Sequence, residues 1–224
     1  MNDHAEFILT GKDPDRQDIQ APIHDLIANR RSPRAFSDQP IESAKLLSLF
    51  EAARWSPSSA NEQPWRFIVA SQDDSREFSA LADSLMEGNR RWALRAPVLI
   101  LAMAQTTYTR TGKPNSHAWY DVGQAVALLS MQATALGLAA HQMGGFDADK
   151  IRQHLAIPEG FEPVVIVAVG YPGSTVDLPE DLRKREQAPR TRKLLETFVH
   201  TGEWGRPSPH IQTSSSRLTQ PSTN

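Results

Sequence analysis

Arg30, Arg31 and Arg34 crowd into the run RRSPR, with Ser32 between them. A guanidinium is planar, keeps its charge, and meets phosphate oxygens through paired N–H bonds, so this spacing suits an anion clamp. Basic residues also complement a helix C-terminus, and the run by itself leaves both uses open. A second stretch, WSPSSANEQPW from Trp55 to Trp65, mixes turn formers with small polar residues. Pro57 fixes a turn, Ser58 and Ser59 allow close backbone approach to a flat ligand, and Asn61 and Gln63 offer amide donors and acceptors to a ring edge. An ordinary connection between a helix and a strand reads the same way. A third, HQMGGF, sets Gln142, Met143, Gly144 and Gly145 after a strand-like run. The glycines there permit positive φ or a close backbone approach to a ligand, or simply turn the chain. His141 beside them reads as a core histidine with satisfied hydrogen bonds. Arg190 and Arg192, in APRTRKLLE, add cations far along the chain and alone read as a solvated face.

Other chemistries lack their residues. The 224 residues contain no cysteine, which removes disulfides, thiolate zinc sites, iron–sulfur clusters and cysteine nucleophiles together. No histidine falls in H-E-x-x-H, and there is no G-x-S-x-G, P-loop or G-x-G-x-x-G. An anion clamp beside small polar loops, without an evident nucleophile, fits a protein whose cofactor carries the chemistry. The net charge of −2 gives no general attraction to nucleic acid or membrane. The polar, acidic N-terminus lacks the regions of a signal peptide, and the longest apolar run, APVLILAMA, is too short to span a bilayer, so the expected location is cytoplasmic.

Periodicity supplies the elements that must position these residues. Helices are expected in APIHDLIANR, in IESAKLLSLFEAARW with Leu46, Leu47, Phe50 and Ala53 on one face, and in DDSREFSALADSLME. WRFIVA, PVLILAMA, LAAHQM and EPVVIVAVG read as strands, the second buried on both faces. QTTYTRTGKPNS is turn-rich and reads as an exposed lid, from which Tyr108, Arg110 and Lys113 can meet a substrate, although the two cations read equally as a solvated surface. WYDVGQAVALLSMQATALG is apolar almost all round, which calls for burial in a core or between subunits. Asp147 is placed to cap ADKIRQHL. The expected division is a leader over 1–20, one α+β domain over 21–205 and a disordered tail over 206–224.

Taken together and in this order, RRSPRAF, EAARWSPSSANEQPWRFIV, DVGQAVALLSMQATALGL, GGF, AVGYP and PRTRKLLE resemble the nitroreductase family of FMN-dependent oxidoreductases. The likeness covers about residues 23–205. It implies an α+β nitroreductase-like fold, a central, mostly antiparallel sheet flanked by helices, in an intertwined homodimer with FMN at the interface. It carries phosphate and ribityl contacts over to Arg30, Arg31, Ser32 and Arg34, with Arg190 and Arg192 closing on the phosphate. Pro57, Ser58 and Ser59 would reach the flavin held mainly by the other subunit, and Asn61 its pyrimidine edge. Gln142, Met143, Gly144 and Gly145 would lie beside the ring near N5. Well-studied bacterial members often carry a glutamate before that last glycine, whereas Gln142-Met143-Gly144-Gly145 stands here, so no carboxylate role is carried over. The implied activity is hydride transfer from NADH or NADPH through the flavin to a nitroaromatic, a quinone or a similar acceptor, in a ping-pong cycle. Reductive dehalogenation, reduction of small enals, and FMN binding without turnover are the alternatives.

Overall fold

The computed structural model describes residues 19–73 and 75–211, so most of the expected leader and much of the expected tail lie outside the described residues. Contacts divide the chain into two units, Asn29–Gln187 and the pairing of Met1–Ala28 with Ala188–Asn224.

The larger unit is built on a four-stranded sheet: β1 (Trp65–Ser71), β2 (Val98–Gln105), β3 (Ala139–Met143) and β4 (Phe161–Gly170), in the order β1-β2-β4-β3. Every neighbouring pair is antiparallel. Strand β2, apolar from Val98 to Ala104, is central because both of its faces are covered. Leu99, Leu101 and Met103 join one core layer, and Val98, Ile100, Ala102 and Ala104 join the other. Helices α2 (Ser43–Arg54) and α5 (Ala118–Ala135) fill the second layer. Helices α3 (Ser75–Ser84), α4 (Glu87–Ala93), α6 (Ala148–Leu155) and α7 (Glu180–Gln187) supply the first. The strands expected from sequence are all present, and the fold is α+β as expected.

Several elements differ from expectation. In α2 the buried face runs through Leu46, Leu49, Phe50 and Ala53, the i, i+3, i+4, i+7 stripe, whereas Leu47 is 71% exposed. The helix expected to run on through Glu87 ends at Ser84, because Leu85 bridges Phe146 and the Met86 N–H bonds the Gly145 carbonyl. A new helix, α4, then starts at Glu87. The helix expected in APIHDLIANR is only Asp25–Asn29, called α1. Helix α5 is not covered all round within the chain. Ala118, Val122, Ala125, Val126, Leu129 and Ala133 are buried, while Trp119 and Tyr120 are exposed. Asp147 caps α6 as expected, accepting from the Lys150 N–H at 3.0 Å.

In the smaller unit the Leu195 N–H bonds Gln20 Oε1 at 2.8 Å, and His200 bridges Pro207. No helix among the described residues is long and apolar enough to cross a membrane.

Candidate active site

The arginine run leaves α1 and crosses to the start of the fold's core at Ala35 and Phe36, both buried. Its far end is fixed by a bridge between Phe36 and Pro172 and by hydrogen bonds from Ser37 N to Tyr171 O and from Gly173 N to Ala35 O. Gly173 is required there, since a Cβ on it would sit 2.4 Å from the Phe36 carbonyl carbon. Within the run, the Arg30 guanidinium donates to Ser32 Oγ at 2.9 Å. The Arg34 N–H bonds Glu186 Oε1 at 2.9 Å, and its guanidinium pairs with Glu186 Oε2 at 3.5 Å. The strongly charged helix α7 therefore anchors this loop. It is itself held to α4 by a two-pronged Arg91–Asp181 pair at 2.9 and 3.0 Å. Arg31 and Ser32 remain exposed at the surface.

The loop from Ser56 to Pro64 is unusual in its backbone. Ala60, Asn61 and Gln63 all have φ between 52 and 54°, a region that costs non-glycine residues on the order of 1–3 kcal/mol each. The surrounding bonds hold it there. Ser58 Oγ accepts the Gln63 N–H at 3.0 Å, Asp121 Oδ2 on α5 accepts the Ser59 N–H at 3.1 Å, and Ser59 Oγ meets the Tyr108 hydroxyl at 3.1 Å. Thr109 N–H reaches Glu62 Oε1 at 2.7 Å, and hydrogen bonding from the Thr109 side chain and then its backbone draws the Glu62 carboxyl below its ordinary pKa. Residues 105–116 thus form a small hairpin, closed by a Thr107–Pro114 bridge and tied to the Ser56–Pro64 loop.

Strand β3 leads to the third stretch. Gln142 donates to Ser130 Oγ of α5 at 3.1 Å, and Met143 is buried in the core, so only its backbone can face a ligand. Neither glycine that follows has a positive φ. Gly145 is explained by crowding, because an added Cβ would lie 2.9 Å from Asn89 Nδ2, which itself donates to the Gly145 carbonyl at 3.0 Å. At Gly144 nothing of the chain lies within 4 Å of where a Cβ would stand, which leaves open space beside that backbone. His141 joins this strand to the arginine run: its Nδ1 is 2.8 Å from the Pro33 carbonyl, and its ring packs 4.3 Å from that of Trp92.

With this geometry in place, the comparisons decide the family. The Nitroreductase family model matches residues 27–171, which includes all three stretches. The chain belongs to the nitroreductase family. It is 37% identical to a crystallised protein described as an oxidoreductase containing FMN, covering 85% of this chain and 96% of that one with a TM-score of 0.79. A nitroreductase family protein of Clostridium difficile 630 is 27% identical, covering 82% and 99% of the two chains with a TM-score of 0.63. A protein of Xanthomonas oryzae pv. oryzae, provisionally named NADH dehydrogenase/NAD(P)H nitroreductase, is 30% identical over 169 residues, 67% of this chain and 85% of its own. The chain is accordingly an oxidoreductase of this family.

Among the residues singled out from sequence, the nitroreductase fold joins Arg30, Ser32 and Arg34 in one loop and ties that loop to β3. It exposes Pro57, Asn61, Gln142 and Gly144, and it half-buries Ser58 and Ser59. Arg190 and Arg192 belong to the smaller unit, where they donate to the carbonyls of Ala28 and Thr191. Tyr108, expected to meet substrate from the lid, has its hydroxyl 3.1 Å from Ser59 Oγ. Sequence reasoning passed over Asp121, Asn89 and Glu186. For Asp121 a signal existed: a lone carboxylate inside the apolar text of α5 has to find a buried donor.

Proposed function

We propose that this chain is an FMN-dependent oxidoreductase that carries hydride from NADH or NADPH to a small electron-poor acceptor, such as a quinone or a nitroaromatic, in two half-reactions. FMN, when bound, supplies the centre that accepts and then donates hydride. The reading is supported most by one observation: the arginine loop and the open backbone at Gly144 are attached to the same strand, β3, through His141. An anion cradle and an uncrowded strip of backbone suit a phosphate at one end and a flat ring at the other.

The chain's own residues have distinct tasks in this reading. Arg30, Arg31 and Ser32 hold the phosphate, and Arg34 shapes their loop through Glu186 while adding charge. The resemblance also assigns Arg190 and Arg192 to that phosphate. Gly144 and Gly145 present backbone to the ring, and Gly145 is kept in place by Asn89 and Met86. Pro57, Ser58, Ser59 and Asn61 form a preset wall, and the exposed Trp119 and Tyr120 of α5 fit a homodimer in which that wall serves the partner's flavin. Hydride transfer on these terms needs no side-chain nucleophile.

Titrating FMN into the flavin-free full chain tests the assignment through its quenched fluorescence. Arg31→Ala is expected to raise the FMN Kd roughly ten- to hundredfold, the loss of one or two charge-assisted hydrogen bonds. An unchanged Kd would remove the arginine run from the site.

A further inference from the structure

We propose that His141 is a positioning residue for the cofactor: it pins Pro33 to the sheet and so sets the Arg30–Arg34 loop before any phosphate arrives. This rests on the FMN reading of that loop. The Pro33 carbonyl can only accept, so His141 Nδ1 carries the proton and donates at 2.8 Å. Proline has no N–H of its own, which leaves that carbonyl as Pro33's one backbone handle. The imidazole is held in turn. It packs 4.3 Å from the Trp92 ring, Trp92 is 1% exposed, and the Phe36 ring stacks on Trp92 at 6.3 Å. His141, Trp92 and Phe36 thus form one line that fastens the loop near its middle, at Pro33, and at its end, at Phe36.

The side chain is also suited to its charged surroundings. Burial pushes His141 down to about 4, the Pro33 hydrogen bond opposes this, and the charges of Arg34 and Arg30 add to it. At neutral pH the ring is therefore uncharged and contributes a hydrogen bond without another cation beside the arginines. Presetting the loop removes an ordering cost that would otherwise be taken from cofactor affinity.

Two full-length variants separate positioning from packing. His141→Phe keeps a flat ring against Trp92 and loses the donor, while His141→Asn keeps a donor where Nδ1 stands. His141→Phe is expected to raise the FMN Kd tenfold or more and to speed amide exchange over residues 29–37 in the flavin-free protein. His141→Asn is expected to restore most of both. A Phe variant that binds FMN within twofold of the native Kd, or an Asn variant as weak as the Phe one, overturns the proposal. If native protein binds no FMN while the Phe variant still loosens residues 29–37, the flavin reading fails and the bracing role stands. If the exchange is unchanged as well, both fail.

Discussion

Buried polar groups decide how the candidate site holds its shape. Asp121 is 2% exposed and its carboxylate accepts from the Ser59 N–H, and His141 donates to Pro33 from a half-buried place on β3. The histidine has a consequence for stability against pH. Its pKa lies near 4 when folded and near 6.5 when the chain is unfolded, so the unfolded chain binds more protons between these values. Stability from this group is complete above pH 6.5 and is lost as pH falls toward 4, by on the order of 3 kcal/mol. Urea unfolding of native protein and of the His141→Phe variant at pH 7 and pH 4 checks this. The native protein should lose that much more than the variant over the interval, and parallel losses would refute the buried neutral imidazole. The sequence read His141 as a core histidine with its hydrogen bonds satisfied; it is half-buried against Trp92, and its partner, the Pro33 carbonyl, lies 108 residues away along the chain, beyond the reach of local pattern.

At the level of elements, the wall loop and the lid hairpin depend on each other. Left-handed conformations at Ala60, Asn61 and Gln63 persist because Ser58, Asp121, Tyr108 and Glu62 hold them from three segments. Asp121→Ala leaves the Ser59 N–H without its acceptor and should cost about 1–3 kcal/mol, whereas Asp121→Asn keeps an acceptor and should cost less. Chemical denaturation of the two variants measures the difference, and equal losses would mean that the acceptor is not what matters. The strands were legible here because WRFIVA, PVLILAMA and EPVVIVAVG carry strong β-branched and apolar runs. The break at Leu85 was not, because nothing local stops that helix; the Gly145 carbonyl, brought in by the sheet, does so. The glycines illustrate the same limit. Positive φ was expected as one option at Gly144 and Gly145, which lack it, whereas Ala60, Asn61 and Gln63 of the wall adopt it, because tertiary bonds there outweigh local preference.

At the scale of the molecule, the four polar stretches, read together and in order with the segments between them, led to the right family, although each alone allowed a plainer use. Helix α5 bears on assembly. Its text is too apolar for a solvent-facing helix, one stripe packs on the sheet, and Tyr120 on another side is 69% exposed. In the proposed homodimer that side is covered, so Tyr120→Glu should shift the sedimenting species from dimer toward monomer and weaken FMN binding with it. A native protein that sediments as a monomer would contradict the shared site. The most direct test of the central claim is the visible spectrum of FMN-loaded protein under anaerobic addition of NADH or NADPH, followed by a quinone or nitroaromatic. The account predicts that the flavin absorbance bleaches with the nicotinamide alone and returns when the acceptor is added. A protein that takes up no FMN, or one whose absorbance persists with both nicotinamides, would contradict it.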